Sequence, residues 1–119
     1  MDIDTYRSHC LQKKGVTEEF PFDHHTLVYK VMGKIFTLAH MEPFDRINLK
    51  CSPELALQLR ENYEGVTPGY HMNKKHWNTV STDGSIPEKT ICQWIDTAYE
   101  LVVDKLPKKD KQKLQQDGF

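Results

Sequence analysis

Cysteine is scarce in this chain, and an excess of charge of either sign is absent. Cys10, Cys51 and Cys92 are odd in number, lie far apart and form no Cys-x-x-Cys pair, which excludes a disulfide framework and a structural zinc site. Each reads as a small core or near-core residue in a reducing cytosol. Sixteen Lys and Arg stand against 17 Asp and Glu, a formal net charge of -1, so the global positive excess of a nonspecific nucleic-acid binder is missing. Any attraction for nucleic acid has to come from a local patch. No hydrophobic run approaches the ~20 residues that cross a bilayer, and the opening Met1-Asp2-Ile3-Asp4-Thr5-Tyr6 has neither the basic nor the apolar part of a secretory leader. The expectation is a cytoplasmic protein with no membrane partner. Gly-rich phosphate loops and serine elbows are also lacking, and His9-Cys10 puts its thiol on the apolar stripe of a helix, so no catalytic residues and no cofactor are expected.

What is present fits one domain of 119 residues. Ile3, Tyr6, Cys10 and Leu11 recur at helical spacing behind Asp2 or Asp4 and ahead of Gly15, predicting a helix over 3–13. Residues 26–32 and 35–41 are rich in β-formers, with Gly33-Lys34 as a two-residue turn. Residues 46–51 alternate, with Ile47, Leu49 and Cys51 on one side and Arg46, Asn48 and Lys50 on the other. Ser52-Pro53-Glu54 then starts a helix over 53–63, two short strands are expected over 69–72 and 76–81, and Asp83-Gly84 makes a turn. Ser85-Ile86-Pro87-Glu88 has capping-box spacing ahead of a long helix over 87–106, striped by Ile91, Ile95, Ala98, Val102 and Leu106. The expected order is α-β-β-β-α-β-β-α, a two-layer α+β fold with a five-stranded antiparallel sheet and its helices on one face. The domain takes residues 1–107, and the polar basic tail over 108–119 is expected to be frayed or flexible.

The stretch from Gly65 to Ser81 carries two histidines, two lysines, two asparagines, a tyrosine and a tryptophan where a plain connection needs little beyond Gly, Ser and Asp. Lys74 and Lys75 at a hairpin tip, flanked by His71, Asn73 and His76, suit phosphate contacts, with Arg46, Asn48 and Lys50 as a floor beside them. The plainer reading of these charges is the solvated outer face of any one-sided sheet. Tyr70 and Trp77 could stack on bases, each stack worth roughly 1–3 kcal/mol, but an aromatic beside a tight turn is more often a packing anchor, the preferred reading of Trp77. Alternation leaves its face open. Asn73 and Asn78 could read base edges, although for Asn73 satisfying the turn backbone is the simpler role. His24, His25, His71 and His76 with Cys51 match no zinc spacing, so no metal is expected.

These residues also carry a resemblance. Ile47-Asn48-Leu49-Lys50-Cys51 with Pro53-Glu54, then Gly65-Val66, Pro68-Gly69-Tyr70-His71-Met72-Asn73-Lys74, His76-Trp77-Asn78 and Asp83-Gly84 resemble the MmcQ/YjbR family, as do Gly15-Val16-Thr17-Glu18 and Phe20-Pro21-Phe22. The similarity runs from residue 1 to about 107. It implies a fold like that of type III secretion chaperones, also compared with bacterial frataxin, and a description as DNA-binding proteins with a double-wing arrangement. Asp23-His24-His25 and the tail beyond Pro107 depart from the pattern, and no role is carried over to residues 23–25. DNA is the leading expected partner. A protein-interaction module using a chaperone-like sheet face, or a small-ligand pocket built from Tyr70, His71 and Trp77, are the alternatives.

Overall fold

A computed structural model describes residues 1–116, which form α1 (Ile3–Leu11), β1 (Val16–Glu19), β2 (Thr26–Val31), β3 (Lys34–His40), β4 (Arg46–Lys50), α2 (Pro53–Asn62), β5 (Val66–Pro68), β6 (Trp77–Ser81), α3 (Glu88–Asp104) and α4 (Lys108–Gln116). The fold is α+β, as expected. Its sheet is antiparallel throughout but has six strands rather than five, in the order β1-β2-β3-β4-β6-β5. The additional strand is β1, whose four residues, Val-Thr-Glu-Glu, join two strand formers to two acids that do not favour a strand. It pairs along β2 from Val16 opposite Val31 to Glu19 opposite Val28. Distant partners fix it: Glu18 accepts from the Tyr29 hydroxyl at 2.7 Å and pairs with the Arg7 guanidinium at 2.7 Å.

The helices pack on one side of the sheet. Tyr6 of α1 meets Thr37 of β3 hydroxyl to hydroxyl at 2.9 Å, Tyr99 of α3 stacks edge-on to Phe36, and Ile91, Ile95, Ala98 and Val102 form the buried stripe of α3. Pro87 occupies the N-cap of α3 without a side-chain bond, so the expected capping box does not form; the Ser85 N–H turns instead to Asp83 Oδ1 at 2.9 Å. The β2–β3 turn is Met32-Gly33 rather than Gly33-Lys34, both residues having positive φ, 49° and 78°. That is the backbone a two-residue hairpin matched to strand twist requires.

Residues 108–116 of the expected tail form the helix α4. Pro107 lies beyond the Lys105 C-cap of α3 and starts this helix, its carbonyl accepting from the N–H groups of Asp110 and Lys111. Leu114, the one apolar side chain of Lys108–Gln116, is buried in the core cluster against Gly15, where a Cβ would collide with it. Residues 117–119 of that tail lie outside the described residues. Leu114 is the apolar anchor of α4, beside the Lys14 ammonium that donates to the Gln115 carbonyl at 3.1 Å, so Leu114→Ala should cost about 1–2 kcal/mol and loosen the helix locally. Hydrogen exchange should then quicken over 108–116 and stay slow in α3.

Candidate nucleic-acid interface

Strand alternation divides β4 and β6 between two faces. Ile47, Leu49, Asn78 and Val80 turn toward the helices, and Asn78 donates its side-chain amide to the Ala56 carbonyl of α2 at 3.2 Å. In the β4–β6 register Arg46, Asn48 and Lys50 stand opposite Ser81, Thr79 and Trp77, on the face away from the helices. Trp77 therefore shares a face with the basic strand positions. It is 8% exposed and stands outside the helix-side core cluster, with Lys50 Nζ 5.3 Å from its ring centroid. Lysine occupies the ring face that a stacked base would need, so Trp77 is a packing anchor. Arg46 lies likewise over Tyr70, 4.9 Å from the centroid, but Tyr70 remains 57% exposed. Such contacts contribute about 0.5–1 kcal/mol at exposed sites.

The segment between β5 and β6 is not the expected strand and two-residue tip. Pairing stops at Pro68 opposite Asn78, and residues 69–76 form two successive turns. Gly69 donates its N–H to the Trp77 carbonyl at 2.9 Å and approaches so closely that a Cβ would sit 2.7 Å from the Trp77 Cβ. His71 then takes a positive φ of 57°, which breaks strand geometry. Asn73 Oδ1 accepts from the N–H groups of Lys75 at 2.9 Å and His76 at 3.3 Å, so Asn73 serves the turn. Lys74 Nζ donates to the Gly69 carbonyl at 3.2 Å, closing the loop on itself.

Two polar relays hold this loop to the sheet. On the outer face, the Tyr70 N–H donates to Thr79 Oγ1 at 3.0 Å, and Thr79 donates onward to Asn48 Oδ1 at 2.7 Å. Asn48 is consequently 9% exposed and positions the loop, a correction to its expected place in an open basic floor. On the helix side, Arg60 of α2 donates from Nε to Asn78 Oδ1 at 2.7 Å and from Nη2 to the carbonyls of Trp77, at 3.2 Å, and Lys74. Asn78 is 1% exposed and also faces away from any outer ligand, so it is removed from the candidate contacts. Sequence reasoning missed Arg60, since a basic residue in the last turn of a helix is ordinary and its three acceptors lie 14 to 18 residues downstream.

Arg46, Lys50, Tyr70, His71, Lys75 and His76 are the expected residues that keep charge or ring surface at this face. The field there is uneven. A shallow hollow beside Arg46 is also lined by Asp45, Glu64 and Asp83, whereas Lys50 and Lys75 are in no ion pair among the described residues. Burial raises the Cys10 and Cys51 thiols above their ordinary range, which keeps them protonated and poorly nucleophilic. Among the described residues His24, His25, His71, His76 and Cys51 do not gather into a metal-holding group.

A family model for YjbR matches residues 11–101. The chain belongs to the YjbR family. It is 36% identical to the uncharacterised protein YjbR of Escherichia coli K12 over 115 residues, covering 96% of this chain and 97% of that one. It is 31% identical to the uncharacterised protein YyaQ of Bacillus subtilis, covering 78% of this chain and 91% of that one. The crystal structure of the Deinococcus radiodurans protein DR2400 superposes with a TM-score of 0.88 at 36% identity, covering 96% of this chain and 88% of that one. A Pseudomonas syringae protein superposes at 0.72 with 26% identity, covering 85% and 98%. The YjbR match thus spans β1 to α3 and includes the whole 69–76 loop. Among the described residues no helix is long and apolar enough to cross a membrane.

Proposed function

We propose that the protein is a DNA-binding module whose contact surface is the outer sheet face around Arg46 and Lys50 together with the 69–76 loop. The observation that supports it most is the pairing of cation and ring on that face, Arg46 over Tyr70 and Lys50 over Trp77, beside the exposed Lys75 and His71. Such a surface offers point charges to phosphates and, in Tyr70, one largely exposed ring beside them. Binding rather than catalysis is the proposed activity, and the protonated, buried thiols support it. In a duplex titration across a salt series, Arg46→Ala/Lys75→Ala should weaken binding at every sequence and lower the salt slope by about 0.9 for each phosphate that is no longer neutralised. Lys75 is preferred to Lys74 for this test because the Lys74 ammonium is already engaged with the loop backbone. An unchanged slope would remove this face as the DNA surface.

A protein-interaction surface is favoured by one separate feature. Phe20 and Phe22 follow the edge strand β1 and are 44% and 67% exposed, and an unpaired strand edge beside exposed apolar rings suits strand addition by a peptide. Absence of duplex binding at low salt would move the assignment to that edge.

A further inference from the structure

Where the β2–β3 turn meets the C-terminal end of α3, a cleft of about 330 Å³ is bordered by Lys34, Lys50 and Lys105. Among the described residues its lining contains no carboxylate, and none of the three lysines is in an ion pair. The floor is apolar: Ile35, Val102 and Leu106, closed at one side by Trp77. The volume lies at the lower end of the ~300–1,000 Å³ usual for small-molecule sites. The last carbonyls of α3 add roughly half a negative charge at this place. Three ammonium groups exceed it several-fold, so the cleft is electropositive over an apolar base.

We propose that this cleft binds an aromatic phosphomonoester, a flat ring against Ile35, Val102 and the Trp77 edge with its phosphate among the three lysines. A phosphomonoester carries about −1.5 to −2 charges at neutral pH, which suits several ammonium groups better than a single carboxylate does. Lys50 would exchange its contact with the Trp77 ring face for a charge-assisted one with the phosphate. Lys34 and Lys105 lie outside the surface proposed for DNA, which makes the two sites separable.

The test is a titration of nitrogen-15-labelled protein with 1-naphthyl phosphate and, in parallel, with uncharged 1-naphthol. The Trp77 indole N–H and the backbone amides of Ile35 and Val102 should shift saturably with the phosphate, and the neutral ring should bind at least tenfold more weakly. Lys34→Ala/Lys105→Ala should weaken the phosphate by roughly tenfold for each ammonium that touches it, while leaving the melting temperature unchanged because both side chains are surface groups. Lys75→Ala should leave this affinity unchanged even if it abolishes binding of duplex DNA. Adenosine monophosphate distinguishes a free nucleotide from a strand terminus when compared with a short oligonucleotide carrying or lacking a 5′-phosphate; binding by either phosphorylated form supports the site. No saturable shift at Trp77 with 1-naphthyl phosphate, or full affinity in the Lys34/Lys105 double variant, would overturn the proposal.

Discussion

Replacing Ile95 by alanine is expected to destabilise the protein by about 2–5 kcal/mol. Ile95 sits at the middle of the 17-residue helix α3, is fully buried, and belongs to the cluster that joins this helix to the sheet. Removing three carbons there loses their transfer energy and leaves a cavity that helix and sheet, both rigid, cannot close. Leu49→Ala, on the inward face of central strand β4, should cost a similar amount. Both side chains belong to one cluster, so the double variant should depart from the sum of the singles. Urea denaturation measures all three. Unchanged midpoints for both single variants would mean that the core does not lie between α3 and β4.

The second large effect is expected at Arg60. Its guanidinium serves Asn78 Oδ1 and the carbonyls of Trp77 and Lys74 at once, and truncation to alanine leaves the buried Asn78 oxygen without a donor. An unsatisfied buried polar group costs about 1–3 kcal/mol. Arg60→Ala should therefore fall near the upper part of that range and raise hydrogen exchange through residues 69–76. Lysine should not rescue it, because a single ammonium cannot reach three acceptors in a fixed fork. A cycle with Asn78→Ala separates the terms: once the amide is gone, losing Arg60 should cost markedly less. Equal costs in the two backgrounds would show that Arg60 acts through the loop carbonyls alone. On the DNA reading, Arg60→Ala should also weaken duplex binding although Arg60 is not itself part of the DNA surface, since a loosened loop pays an ordering cost on association.

Much of this architecture was legible because it rests on local pattern. The stripe of α3, the clean alternation of β4 and the Ser52-Pro53-Glu54 start of α2 are written in consecutive residues, and each forms where expected. What escaped depends on distant partners. The strand β1 is held by Arg7 and Tyr29 acting on Glu18, and α4 by Leu114 meeting Gly15 and by Lys14 bonding the Gln115 carbonyl, contacts that lie outside each element's own stretch of sequence. The candidate site divides in the same way. Its charges and rings could be named from the sequence, and Asn73 took the turn role that its chemistry favours. Strand register decides which of the others face outward. Asn48 and Asn78 stand on opposite sides of the sheet and are both consumed in holding the loop, one through Thr79 and the other through Arg60.

The assignment of the outer face as a DNA surface is tested most directly by mapping amide shifts of the labelled protein as a short duplex is added at low salt. Shifts concentrated at Arg46, Lys50 and residues 70–76, fading as salt is raised, are the predicted result. No shifts at low salt, or shifts confined to β1 and residues 20–25, would contradict it.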